Sequence, residues 1–315
     1  MRTPRGAALY SEGMQSSQRQ QGLGASKILL YITIILVVGI FLLNFLPALG
    51  VSGCVGVIEI TGEITSSSAY GGVSSVEINS LLRQAETRPD IRSLLIVIDS
   101  PGGSVVASNE IYATLKEMSK PTVAYIGDTG ASGGYYVALG ADKIFANPAS
   151  ITGSVGVRSA TLFDLSRLLN NSGINATAIT SGAMKDMGEI YRPLTKNETT
   201  MLQSIINEMA IDFRDVVMQS REGKNDRFSA ASLDRIADAR IVTGKQAFAL
   251  GLVDELGTRQ VALNYAAAEV GMDPNPSVCE LRIKHDLLSS LFTSMGRGIG
   301  EAFTGFMADQ RVKIA

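Results

Sequence analysis

The sequence predicts an α/β fold, a mostly parallel sheet with flanking helices preceded by one transmembrane helix. Three observations predict it. Short apolar runs alternate with segments of helical spacing, the pattern of a sheet covered by helices. Two consecutive strand-to-helix junctions carry glycine pairs, Asp99-Ser-Pro-Gly-Gly103 and Gly130-Ala-Ser-Gly-Gly134. The stretch from Ile28 to Val51 has no charge and exceeds the about 20 residues a helix needs to cross hydrocarbon.

Residues 1–27 are polar and read as a flexible cytoplasmic tail. Arg2, Arg5, Arg19 and Lys27 precede the apolar stretch, with only Glu12 opposing them. The positive-inside rule therefore predicts a single-pass chain in the cell membrane, its N-terminus cytoplasmic and its globular part extracytoplasmic. A cleaved signal peptide is one alternative, and acylation of Cys54 in Val51-Ser-Gly-Cys54 is another. From Val55 to Ile60 the chain reads as a buried first strand, and Gly62 opens a small-residue loop through Ser75. Helical spacing over 76–88 stops at Pro89. A strand over 93–98, a helix over 105–118 and a strand over 122–126 follow, and a short helix begins after Gly133. Next come a strand over 143–146, a Gly/Ser loop at 152–156, a helix near 162–169 and a strand over 175–179. The pattern from Thr195 to Ser220 predicts a long helix, whose stripe through Leu202, Ile205, Met209, Phe213 and Val217 reads as core or subunit interface. A helix ending at Gly251, a short edge strand and a helix over 258–270 complete a domain over 55–272. Residues 273–315 are expected to form a C-terminal strand and an amphipathic helical extension.

Charge is nearly balanced, with 28 Lys and Arg against 30 Asp and Glu, and basic residues do not cluster among aromatics, so nucleic acid is excluded as a partner. Cys54 and Cys279 lie far apart, suggest neither a CxxC pair nor a disulfide framework, and leave the compartment open. The chain has one histidine, His285, in a charged C-terminal stretch outside the predicted domain. A Ser/His/Asp triad would rest on it alone.

Ser132 sits in the second glycine turn. Glycines on either side let backbone amides approach a ligand, and the amides of Gly133 and of Gly102 or Gly103 are candidate oxyanion donors. A serine hydroxyl needs a base. Lys185, in the Gly/Met loop Thr180-Ser-Gly-Ala-Met-Lys-Asp-Met-Gly188, is the candidate, since a desolvated lysine gives up its proton more readily. Asp186 beside it would oppose this if its carboxylate faced the amine.

Asp99-Ser-Pro-Gly-Gly103, Gly130-Ala-Ser-Gly-Gly-Tyr-Tyr136, Thr152-Gly-Ser-Val-Gly156, Lys185-Asp-Met-Gly188 and Gly244-Lys-Gln-Ala-Phe-Ala-Leu-Gly-Leu-Val-Asp254 together resemble the short form of signal peptide peptidase A, the S49 serine peptidases. The resemblance implies a ClpP/crotonase-like fold and a Ser/Lys dyad in which Ser132 is the nucleophile, Lys185 the base and Ser154 the group that orients the lysine. It implies an oxyanion hole from Gly133 and the Gly102/Gly103 turn, and no metal or other cofactor. Expected substrates are hydrophobic peptides such as remnant signal peptides, and the expected assembly is a homo-oligomer with an intersubunit dyad. Alternatives are an S49-like protease of specific membrane-protein segments, a crotonase-like acyl-CoA enzyme and a non-catalytic scaffold.

Overall fold

The computed structural model describes residues 22–45, 53–67 and 72–282. Their contacts divide the chain at Ser52/Gly53 into two units. In the first, α1 (Gly22–Phe45) is a helix with a single charge, Lys27. Side chains are described in it only from 27 to 41, and the large apolar ones among them, such as Leu29 and Ile35, are exposed. Over the described residues, no helix is long and apolar enough to cross a membrane. The predicted tail over 1–21, the end of the apolar stretch over 46–52 and the predicted C-terminal helix with His285 lie outside the described residues.

The second unit begins with β1 (Cys54–Thr61), β2 (Ile64–Thr65), β3 (Val73–Ser74), α2 (Ser75–Thr87), β4 (Ile91–Ser100), α3 (Val105–Lys116), β5 (Thr122–Ala131), α4 (Gly133–Ala138), β6 (Lys143–Ala146) and β7 (Ile151–Gly153). It continues with α5 (Ser166–Asn171), α6 (Lys196–Arg221), α7 (Ala230–Asp234), β8 (Ile241–Thr243), α8 (Gly244–Ala249), β9 (Glu255–Leu256), α9 (Arg259–Ala268) and β10 (Val278–Glu280). The main sheet has the order β10-β1-β4-β5-β6-β9, with β7 and β8 attached to β5. All its pairings are parallel except β7 with β8.

The strands read as unbroken apolar runs because the sheet is buried on both faces. Successive β4 side chains alternate between two cores: Leu94, Ile96 and Ile98 pack with residues of α2, α3 and α4, whereas Leu95 and Val97 pack with Ala262, Ala266 and Ala267 of α9. Register carries this order to the site. Ser100 pairs with Gly130, so the two glycine turns leave the sheet side by side, and Ala131 pairs with Gly153, which brings Ser154 to the same edge.

Several expectations need correction: the helix expected near 162–169 begins only at Ser166, as α5, and the loop expected from Gly62 through Ser75 holds the paired strands β2 and β3. Residues 175–179 form no strand; they are exposed, so no apolar face holds them to the sheet. The loop at 152–156 begins inside β7, because Thr152 and Gly153 pair with both β5 and β8. Cys54 and Cys279 form a disulfide between β1 and β10 across a sequence separation of 225 residues. Nothing in their spacing announced it; the parallel pairing of the first and last strands creates it. With its Sγ in that bond, Cys54 has no thiol to acylate.

The disulfide ties a three-residue edge strand to the core. Cys279→Ser is expected to cost about 2–5 kcal/mol, read as a lower unfolding midpoint that the unmutated chain reproduces in reductant. An unchanged midpoint would contradict this.

At the far end of α6, Arg221 is buried and donates to Asp254 at 2.6 Å and to the Gly251 carbonyl at 3.0 Å. Burial pushes the Asp254 carboxyl up, but the hydrogen bonds and charge of Arg221 and the Ile144 amide more than offset it, leaving the group below its ordinary value. A depressed carboxyl contributes stability above its unfolded value near about 4, and that contribution is lost as pH falls through the folded value. Arg221→Ala leaves the buried Asp254 uncompensated and is expected to cost about 3–5 kcal/mol in urea unfolding at neutral pH. A cost below about 1 kcal/mol would contradict it.

Candidate active site

The turn after β5 forces Ser132 into φ 51°, ψ −121°, a conformation a residue with a Cβ rarely adopts. Such backbone costs on the order of 1–3 kcal/mol and persists only where its surroundings over-determine it. Here the Ser132 amide donates to the Gly153 carbonyl at 2.9 Å, and the Ser132 carbonyl accepts from the Tyr136 amide at 2.9 Å as the first turn of α4. The arrangement holds the hydroxyl at a strand-to-helix corner, the geometry of a nucleophile elbow.

The first glycine turn closes on it. Gly102 has φ 105°, and a Cβ there would lie 2.6 Å from the Gly133 amide nitrogen and 3.0 Å from the Ser132 Cβ. A Cβ on Gly133 would lie 3.2 Å from the Gly103 amide nitrogen. The two glycine stretches are in backbone contact that no larger residue would allow. Neither the Gly103 nor the Gly133 amide donates a hydrogen bond among the described residues, whereas the Gly102 amide is taken by Ser100 Oγ at 3.1 Å. Of the two expected donors in the first turn, Gly103 is thus the one left free, and Gly102 supplies the close approach.

Ser132 lines two depressions. One is an apolar pocket walled by Val105, Tyr136, Val157, Met209 and Phe213, with Asn109 and Asp212 in its lining. The Tyr136 ring packs on Phe213 at 4.9 Å, and its hydroxyl accepts from Asn109 at 3.1 Å; burial, the larger effect, pushes that phenol up. The other is an open groove running from Glu63 and Pro101 past Ser154 to Gly156–Ala160. Gly156 marked part of this groove in the sequence; nothing marked Arg158 to Ala160.

Ser154 stands on the groove wall with φ 53°, its amide donating to the Arg240 carbonyl at 3.0 Å. Lys185 is not brought to Ser132. It lies exposed in a turn, where its amide donates to the Gly182 carbonyl, and it lines neither depression. Asp186 does not pair with it: Arg192 takes both oxygens of that carboxylate, at 2.8 and 3.0 Å. That hydrogen bonding holds the Asp186 carboxyl below its ordinary range. The single chain therefore assembles the serine, the glycine amides and the groove, with the lysine elsewhere on its surface.

A strained serine beside two free amide donors, at the ends of the central strands of a parallel sheet, is the arrangement that serine hydrolases of the acyl-transfer class use. The model of Peptidase family S49 matches residues 114–273, and that of Clp protease matches residues 57–152. A candidate protease of Methanocaldococcus jannaschii is 36% identical over 233 residues, 72% of this chain and 73% of that one. A candidate protease of Synechocystis is 39% identical over 220 residues, 69% and 75% of the two chains. A candidate signal peptide peptidase SppA of Enterococcus faecium is 33% identical over 214 residues, 66% and 60% of the two. The chain belongs to peptidase family S49 and is a serine peptidase with a ClpP-like α/β fold.

Proposed function

We propose that the chain is a membrane-anchored endopeptidase that cuts apolar peptides, remnant signal peptides among them, with Ser132 as nucleophile and Lys185 of the partner subunit as general base. The observation that carries this reading is the placement of Ser132, on a strained corner where an apolar pocket meets an open groove. A pocket walled by Val105, Met209 and Phe213 suits an apolar side chain next to the scissile bond, and the groove suits an extended backbone. The name of the Enterococcus relative points to the same substrate class.

In this reading Ser132 Oγ attacks the peptide carbonyl as its proton passes to the lysine Nζ. The Gly133 and Gly103 amides hold the developing oxyanion. The lysine then gives the proton to the departing amine. Its neutral Nζ next takes a proton from water, whose attack releases the acyl group as an acid while that proton returns to Ser132 Oγ. Ser154, on the groove wall, orients the incoming Nζ. The base comes from a second copy because Lys185 and Ser132 line no common cavity within one chain. Leu162, Phe163, Leu168 and Ile205 are exposed around the lysine loop and along the first half of α6, apolar residues that fit a subunit interface. Docking there would take Lys185 out of water, the condition a lysine base requires.

Two features support an extracytoplasmic domain behind an anchor. A disulfide persists in oxidising compartments and is rare in the cytosol. In the sequence, the uncharged run from Ile28 to Val51 exceeds the about 20 residues a helix needs to cross hydrocarbon.

The test is labelling by a fluorophosphonate, with hydrolysis of an apolar peptide read in parallel. Labelling of Ser132 alone, blocked by the peptide, is expected. Peptide turnover by a chain whose serine resists the probe would overturn the assignment.

A further inference from the structure

The loop bearing Lys185 has no strand or helix of its own, yet a general base must be held in place to act. Its turn, exposed over 181–185, is tied down by the residue after the lysine, the half-buried Asp186. Arg192 Nε donates to one Asp186 carboxylate oxygen at 3.0 Å, and Nη2 donates to the other at 2.8 Å and to the Asp186 carbonyl at 3.2 Å. The same guanidinium donates to Glu198 through Nη1 at 2.9 Å and Nη2 at 2.6 Å.

Glu198 is buried, and it is the third residue of α6, where its carboxylate also accepts the Thr195 amide at 2.8 Å in a capping box. Arg192 and then the Thr195 amide hold the Glu198 carboxyl down at about 2. α6 is in turn fixed by Phe213 and Val217 in the core and by the buried Arg221–Asp254 pair. A continuous path thus runs from the core along α6 to Glu198, Arg192 and Asp186, ending one residue from Lys185. A planar guanidinium can grip two carboxylates and a carbonyl at once; an ammonium cannot hold that fork.

We propose that Arg192 is a positioning residue for the base, fixing the Lys185 loop to the start of α6 so that the amine meets the Ser132 of a second copy in one orientation. The inference rests on Lys185 being the base. Tyr191, whose hydroxyl donates to Asp186 at 3.4 Å, belongs to the same clasp.

The experiment uses the assembled full chain, with steady-state peptide hydrolysis and the rate of Ser132 labelling by a fluorophosphonate as readouts. Arg192→Ala is expected to lower kcat by about 10²-fold, with KM within about 2-fold because no substrate contact is lost. Arg192→Lys should recover part of the rate. Asp186→Asn, which leaves the Arg192–Glu198 pair in place, should reproduce most of the loss and decides the matter if Arg192→Ala fails to fold. In a Lys185→Ala background, Arg192→Ala should add no further loss to the labelling rate.

A normal kcat in both Arg192→Ala and Asp186→Asn would overturn the inference. So would an undiminished further drop in the Lys185→Ala background. Full activity of Lys185→Ala itself would instead refute the base assignment, a failure separable from that of the clamp.

Discussion

Ser132→Gly is expected to abolish peptide hydrolysis while making the domain more stable. Removing the nucleophile of a serine peptidase costs on the order of 10⁶ in kcat. Replacing it with glycine also relieves φ 51°, ψ −121°, a gain of on the order of 1–3 kcal/mol, partly offset by about 0.5–1 kcal/mol of glycine chain entropy. The net expectation is about 1 kcal/mol of stabilisation, read in urea unfolding. Ser132→Ala removes the same hydroxyl but keeps the Cβ, so it should be equally inactive without the gain. The pair separates two properties of one residue, its chemistry and the strain that presents it. Turnover by either variant above about 10⁻³ of the unmutated rate would remove Ser132 from the nucleophile role.

Lys185→Ala is expected to lower kcat by at least about 10⁴-fold with no loss of stability. The side chain is exposed and is not part of the Arg192 network that holds its loop. A large catalytic effect joined to a negligible effect on unfolding is what a residue acting in the chemistry rather than in the fold would show. Activity within about 10-fold of the unmutated chain would mean that another group takes the proton.

The contrast between Ser132 and Lys185 also shows how far residue order alone can be read. The strands and helices around Ser132 were legible because their apolar runs face two cores at once; Ile91–Ser100 extends the expected strand by two residues at each end, while Thr122–Ala131 runs five residues past its expected end into the glycine turn. The two glycine turns were legible as a pair because glycine has few other reasons to recur there. Their meeting was not, since it depends on the Ser100–Gly130 register. The segment 157–190 was read less well. Its apolar residues suggested a strand over 175–179, but they are exposed and no face of the sheet receives them.

Long-range polar pairings were the least legible. The long helix from Thr195 was expected, yet nothing in its pattern says that Glu198 holds Arg192, or that Arg192 takes both oxygens of the Asp186 carboxylate. The disulfide is hidden for the same reason. Cys54 and Cys279 become neighbours only when the first and last strands pair.

The central claim, that the serine and its base come from different copies of the chain, is tested most directly by mixing two inactive proteins. Ser132→Ala and Lys185→Ala are each purified, dissociated, combined in equal amounts and reassembled, and peptide turnover is measured. Random mixing across a heterologous interface gives roughly a quarter of the sites an intact serine facing an intact lysine, so turnover near a quarter of the unmutated rate is predicted. A fully mixed assembly with no more activity than its inactive parents would contradict the account.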